Sequence, residues 1–369
     1  MIRRFYVHNF RCLENFELPI ADRSSVLLIG KNGAGKTTVS LALEILQRIA
    51  RGASRVADVV KPKDLTRGRA EVPMRFEIEV KLEGRTYEYF IAFEFPTGFK
   101  ELRVFEEGLA ADGKPVFTRE LAQVRLATTK QEKEAKFLID WYLAALPIIQ
   151  ERTTKDPLFI FKQWLARTVI LRPIPSLITG NSERETLQPN PQGMDFGAWF
   201  SGLIASAPAA YGKLDAYLKQ VMPDIKDIKN PAIGKDARSL EVQFSNELGS
   251  VTIPFADLSD GEKCFMICAM VLAANEAYGP LVCFWDEPDT HLALNEVGHF
   301  ITTLRKAFQS GGQFIATSHD QEAIRRFSAE NTLFLHRKSH LEPTIVRPLS
   351  EISVNGDLVG ALIRGDVEP

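Results

Sequence analysis

An octapeptide, Gly30-Lys31-Asn32-Gly33-Ala34-Gly35-Lys36-Thr37, constrains this chain more than any other feature. It fits the pattern GxxxxGK[ST], follows the apolar run Ser25–Ile29 (SVLLI), and opens an amphipathic stretch running from Lys36 to about Arg51. Strand, tight turn and helix are therefore expected in that order. Glycines in such a turn let successive backbone N–H groups point inward at phosphate oxygens, and the helix start adds its positive end. Lys36 then reaches the β- and γ-phosphates of a nucleotide, and the Thr37 hydroxyl holds Mg2+. Gly30, Asn32, Gly33, Gly35 and Thr38 complete the expected nucleotide-binding set. A purely structural glycine turn would account for the pattern, but not for its position between an apolar strand and a helix.

The run Leu281–Trp285 (LVCFW) ends in Asp286-Glu287. Two carboxylates at the tip of a buried strand are costly unless a cation waits there. Beside a phosphate loop that cation is expected to be Mg2+, bound by Asp286 mostly through water, with Glu287 positioning or deprotonating the attacking water. Upstream, Leu258-Ser259-Asp260-Gly261-Glu262-Lys263 precedes an apolar helix from Cys264 to Ala277. Serine at an N-cap with glycine in the first turn presents a hydroxyl and bare N–H groups to an anion. Alone, this is a capped helix as readily as a ligand site. Its distance from the acids, 27 residues from position 259 to 286, makes it specific.

Together these residues resemble the ATP-binding-cassette superfamily, whose LSGGQ-type signature stands just ahead of the Walker B strand. Asp260 stands where the signature's first glycine would, and Glu262-Lys263 where the glutamine and its neighbour would. Those forms look like the SMC, RecF and OLD-type branch, including the small stand-alone ATPases of bacterial antiphage systems, rather than transporter cassettes. The resemblance implies nucleotide contacts from Ser259, Gly261 and Glu262, and catalytic roles for Lys36, Glu287 and His319. Pro288-Asp289-Thr290-His291 lies where the D-loop lies, and Gly312–Asp320 looks like the strand that ends in the switch histidine, His319. Asn9-Phe10-Arg11 is similar to the branch's first-strand element; Arg11 reads either as a residue near the phosphates or as an ordinary surface charge. The resemblance covers residues 1–40 and 255–335, while 60–250 shares only an outline. For the Q-loop glutamine, Gln150 and Gln163 compete and neither is assigned. After the acids, Asp289-Thr290-His291-Leu292-Ala293-Leu294 lacks the second histidine and the proline of the EPE-x-x-LHP form.

Elsewhere the pattern supplies organisation. From Met74 to Phe117 the hydrophobic residues recur every second position (MRFEIEVKL, TYEYFIAFEF, ELRVFEE, KPVF), with turns at Gly84 and Asp112-Gly113, so an antiparallel β lobe is expected. From about Leu121 to Thr168 the pattern reads as helical, clearest in EKEAKFLIDWYLAAL. Residues 171–193 read as a long Pro/Asn/Ser/Gly-rich loop, helices resume from Phe196 to about Val221, and strands follow near Leu240–Ser245 and Val251–Phe255. Helix 260–277, strand Leu281–Trp285, helix Leu294–Gln309 and strand Gln313–Thr317 then alternate, which argues for a largely parallel sheet. The expected class is α/β: an ATPase head of mixed and parallel sheet flanked by helices, with an antiparallel β lobe and an inserted helical lobe. The expected division is 1–60 (core with Walker A), 61–120 (β lobe), 121–235 (helical lobe) and 236–369 (core with signature, Walker B, D-loop and switch histidine).

Composition narrows the function classes. With 369 residues the chain has no room for a complete transporter or for long coiled-coil arms, and its net charge of −2 does not announce a nucleic-acid binder. Arg48, Arg51, Arg55, Lys61, Lys63, Arg67 and Arg69 nevertheless crowd residues 48–69 against Asp58 and Asp64, which is either a DNA-facing patch or a solvated loop. Cys12, Cys264, Cys268 and Cys283 form no CxxC pair and read as small buried hydrophobes. The N-terminus MIRRFYVHNFRCLENFEL lacks an apolar signal core, and no apolar run approaches the roughly 20 residues of a membrane span, so a cytoplasmic protein without a membrane partner is expected.

One chain has one phosphate loop and one signature, both anion-binding helix starts. A twofold sandwich of two chains gives each triphosphate both, so a homodimer or higher even oligomer closed over ATP and Mg2+ is expected. The tail SEISVNGDLVGALIRGDVEP resembles no Toprim domain, and no nuclease pattern stands out. The first reading is therefore an ATPase that regulates or senses for a separately encoded effector, a nuclease or toxin, as the family resemblance associates with antiphage defence. The second is a RecF-like ATPase that clamps DNA in repair or recombination. A transporter-coupled subunit is third and would want a signature closer to LSGGQ.

Overall fold

The computed structural model describes residues 1–127 and 135–352. By contact the chain divides into two units: the described residues of 1–23, 28–166 and 329–369 in the first, and 24–27 with 167–328 in the second.

An eight-stranded antiparallel sheet dominates the first unit. In spatial order its strands are Phe16–Leu18, Ile2–His8, Met74–Leu82, Arg85–Glu94, Arg103–Ala111, Lys114–Glu120, Gln123–Leu126 and Ala135–Leu138. The period-two pattern explains it: Met74, Phe76, Ile78 and Val80 are buried on one face. Helix Pro157–Arg167 lays Phe161 against that face, its ring 5.4 Å from Tyr89 and 6.3 Å from Tyr87. The end of Ser25–Ile29, helix Lys36–Ala50 and the antiparallel pair Thr332–His336 and Ile345–Pro348 also belong to this unit.

The helical reading of Leu121–Thr168 is corrected here. Strands occupy Gln123–Leu126 and Ala135–Leu138, and helix begins only at Pro157; residues 132–134 of the stretch taken as clearest lie outside the described residues. The apolar spacing of IDWYLAAL is helix-like, but its backbone is claimed by two buried charges. Glu107 accepts hydrogen bonds from the Ala145 N–H (2.6 Å) and the Leu146 N–H (2.8 Å), and from the Tyr89 hydroxyl (2.9 Å). The Arg119 guanidinium donates to the carbonyls of Leu121, Leu143 and Asp140. Those contacts supply what helical hydrogen bonds would otherwise supply, and Pro147 blocks continuation. Burial pushes the Glu107 carboxyl up.

Parallel pairing organises the second unit. Val169–Leu171 pairs with Val282–Trp285, which pairs with Gln313–Thr317, and the Phe314 N–H reaches the Ser24 carbonyl. Helix Asp260–Tyr278 is buried on every side from Lys263 to Ala274, as an all-round apolar helix must be. Helix Leu294–Gln309 buries one stripe: Val297, Phe300, Ile301, Leu304 and Phe308. Helices Phe196–Ser206 and Ala210–Val221, and the antiparallel strands Glu241–Asn246 and Gly249–Pro254, fall close to their expected positions. All four cysteines are buried and free; burial pushes the Cys264 thiol up to about 12 and raises those of Cys268 and Cys283. No helix among the described residues is long and apolar enough to cross a membrane.

Candidate functional site

The expected site residues fall in both units: Arg11 and Gly30 to Thr38 in the first, Ser259 to His319 in the second.

The buried strand Ser25–Ile29, of which the last two residues belong to the first unit, leads straight into the phosphate loop, and Lys36 opens the helix after it. Gly35 takes φ +102, and a Cβ there would stand 2.8 Å from Thr344 Oγ1 and 2.9 Å from Cys12 Sγ. At Gly30 a Cβ would meet the Leu335 carbonyl oxygen at 2.2 Å. Both positions therefore admit only glycine. Lys36 is buried, its ammonium curled back to donate to the Gly30 carbonyl at 2.9 Å and the Lys31 carbonyl at 3.5 Å. Thr344, also buried, donates from Oγ1 to the Ala34 carbonyl (2.9 Å), and the Cys12 thiol donates to Thr38 Oγ1 (3.6 Å). Thr344 and Cys12 thus brace the loop from outside; neither lies in a recognisable motif. Thr37 is exposed at the helix start, as are Lys31, Asn32 and Gly33.

Arg11 adopts φ +52 and donates from Nε to Asp64 Oδ1 at 3.0 Å, while its N–H meets the Asp64 carbonyl. Asn9 is buried and ties this turn to the Arg69 and Val72 carbonyls. The basic run is largely paired as well. Arg51 donates to the Ala166 carbonyl, Arg55 faces Glu101 at 3.2 Å, and Arg67 and Arg69 share Glu14.

In the second unit the acids sit where the sequence puts them, at the end of Val282–Trp285. A threonine on the neighbouring strand organises them. Thr317 Oγ1 donates to Asp286 Oδ1 at 2.5 Å and accepts from the Glu287 N–H at 2.8 Å. Glu287 is held at φ +52, a left-handed conformation uncommon outside glycine. Its Oε1 lies 3.6 Å from His319 Nε2. Ser318 donates to Asp289 Oδ2 at 2.8 Å, and burial pushes the Asp289 carboxyl up to about 6. Thr317, Ser318 and Asp289 were not among the expected site residues.

The signature helix start is capped by its own side chains. Glu262 Oε2 accepts from both the N–H and the hydroxyl of Ser259, each at 2.7 Å, and Ser259 Oγ accepts from the Glu262 N–H at 3.3 Å. Lys263 is buried and donates to the Pro175 and Ala256 carbonyls (3.1 and 2.8 Å), so it anchors the 171–193 loop. His291 Nδ1 lies 3.6 Å from Asp260 Oδ2, and the His291 carbonyl stands 3.0 Å from where a Gly261 Cβ would be. The loop after the acids therefore touches the signature of its own chain.

A likeness to solved structures agrees with this layout. A Smc head bound to the C-winged helix domain of ScpA is 14% identical, covers 95% of this chain and 98% of its own, and superposes with a TM-score of 0.56. A Smc head with an extended coiled coil, bound to the C-terminal domain of ScpA derived from Pyrococcus furiosus, is 12% identical over 95% of this chain and 97% of its own, with a TM-score of 0.53. At such identities the likeness is one of fold, the ABC-type ATPase head. An OLD nuclease of Thermus scotoductus is 44% identical over 46 residues, which is 12% of this chain and only 8% of that protein. The RecF/RecN/SMC N terminal domain matches residues 1–341, almost the whole described chain, and this protein belongs to that family.

Proposed function

We propose that this chain binds and hydrolyses ATP, and that two copies close over the nucleotide to regulate a separate effector protein. The observation that carries the reading is the trio of Thr317, Glu287 and His319: a carboxylate fixed at its backbone by a threonine and facing an imidazole at 3.6 Å. Such a pair can orient a water and move its proton.

Lys36 would exchange the Gly30 and Lys31 carbonyls for phosphate oxygens, which suit an ammonium better. The loop N–H groups, with Thr38 and Arg11 beside them, would take the remaining phosphate charge. Taken each within its own unit, the Thr37 hydroxyl and the Asp286 carboxylate are oxygens of the kind Mg2+ prefers. When bound, Mg2+ neutralises phosphate charge as it develops. Asp286 accepts from Thr317 through Oδ1 and would hold that ion with the carboxylate's remaining capacity. Glu287 would hold the attacking water and His319 would read the terminal phosphate. Ser259, Gly261 and Glu262 would meet the triphosphate held by a second copy, and the change of pairing would be the output. The antiphage setting, with a nuclease or toxin as effector, is carried over from the family resemblance of the motifs.

The test combines two variants. Lys36→Ala should lower ATP affinity at least tenfold by calorimetry. Glu287→Gln should retain ATP and accumulate a dimer in light scattering with ATP and Mg2+. A Glu287→Gln protein that binds ATP yet stays monomeric at micromolar concentration would end the pairing proposal.

A further inference from the structure

We infer that Asp289 is a positioning residue, holding the segment Thr317–Asp320 so that the His319 imidazole stays against Glu287. The inference rests on the ATPase reading above and extends it to a residue of the segment after the acids that was not among the expected site residues.

The chain of contacts is continuous. Ser318 is fully buried, and its hydroxyl has one proton. That proton goes to Asp289 Oδ2 at 2.8 Å, while Ser318 Oγ accepts the Asp320 N–H at 2.8 Å. Asp320 then turns Oδ1 to the N–H groups of Glu322 (2.8 Å) and Ala323 (3.1 Å), and so starts helix Gln321–Phe327. On the other side Thr317 is tied to Asp286 and Glu287. His319 is thus bracketed by anchored neighbours, and Asp289 holds the anchor nearest the ring. Removing the carboxylate leaves the Ser318 hydroxyl buried without an acceptor, and the segment gains freedom where the ring must be placed within a few tenths of an ångström.

A second observation marks the position as more than structural filler. Asp289 Oδ1 is buried and has no hydrogen-bond partner. A carboxylate satisfied through one oxygen only is unfavourable for folding, and an amide or a small residue would relieve it. Local rules broken without local gain are found at functional sites.

The experiment uses the full chain with Asp289→Ala, Asp289→Asn, His319→Ala and the double variant Asp289→Ala/His319→Ala. Asparagine keeps an oxygen acceptor for Ser318. We expect Asp289→Ala to lower kcat about tenfold or more, with KM for ATP changed less than about twofold, because the contact acts on the reacting geometry rather than on binding. Asp289→Asn should recover most of the rate. The double variant should be no slower than His319→Ala alone, since both changes remove one function. Unchanged kcat in Asp289→Ala, or multiplicative losses in the double variant, overturns the inference. Placement is also read without turnover, from the His319 Cε1–H resonance of the nucleotide-free protein. It should move in Asp289→Ala and return in Asp289→Asn; an unmoved resonance overturns the inference. If the wild type binds no ATP or does not turn it over, the ATPase proposal falls, while the resonance still decides the positioning. Should Asp289→Ala fail to fold, Ser318→Ala cuts the same link from its other end, with the same outcomes.

Discussion

Asp289 makes its burial measurable by titration. Its carboxyl is pushed up to about 6, first by burial, from an ordinary 3.8. The folded state therefore holds a proton that the unfolded chain releases between about pH 4 and 6, so this group's contribution to stability falls as pH rises through that window. Asp289→Asn removes the ionisation. It should raise stability above pH 7 by roughly 2 kcal/mol, and the advantage should shrink towards pH 4.5. Thermal melts of both proteins across that range check it, and an advantage that grows on acidification contradicts it. Residues of this kind were not legible in the sequence. Lys36 on one side, and Asp286 and Glu287 on the other, announce themselves because each closely follows an apolar strand in its own short segment. Thr317, Ser318, Cys12 and Thr344 act across 26 to 310 positions of sequence, and each is an ordinary residue in its own segment.

Among the elements, the phosphate loop is the least tolerant of change. Gly35→Ala meets both a left-handed backbone and two atoms closer than 3 Å, one from Thr344 and one from Cys12. It should cost about 2 kcal/mol or more in chemical denaturation. An alanine variant of native stability would mean that the loop is free to relax. Periodicity made most elements readable. Helix 260–277 was expected and Asp260–Tyr278 is found; strand Gln313–Thr317 matches to the residue. The failure at 121–168 has a local cause. Helical spacing reports which side chains are apolar, and it is blind to a buried Glu107 and Arg119 that claim the backbone from another strand.

For the whole molecule, the seven cations of 48–69 shaped the DNA-clamp alternative. With Arg51, Arg55, Arg67 and Arg69 already engaged, few remain to neutralise phosphates. Neutralising Arg51, Arg55, Arg67 and Arg69 together should leave the salt dependence of DNA binding unchanged, measured as the slope of log affinity against log salt. A slope shallower by about 0.9 for each cation lost would return DNA to the first place. Net charge could not have foretold this, because it counts charges without saying which are spent on one another.

The cap on the signature helix carries a consequence for the timing of any closure. Glu262 is an anion tethered three residues from the serine whose hydroxyl and N–H it already occupies. On the proposed pairing, an arriving phosphate would compete with a rival that never diffuses away, which lowers its apparent affinity for that helix start. The signature would then yield to a ligand only as far as that ligand outcompetes one tethered carboxylate, whatever the depth of the pocket around it.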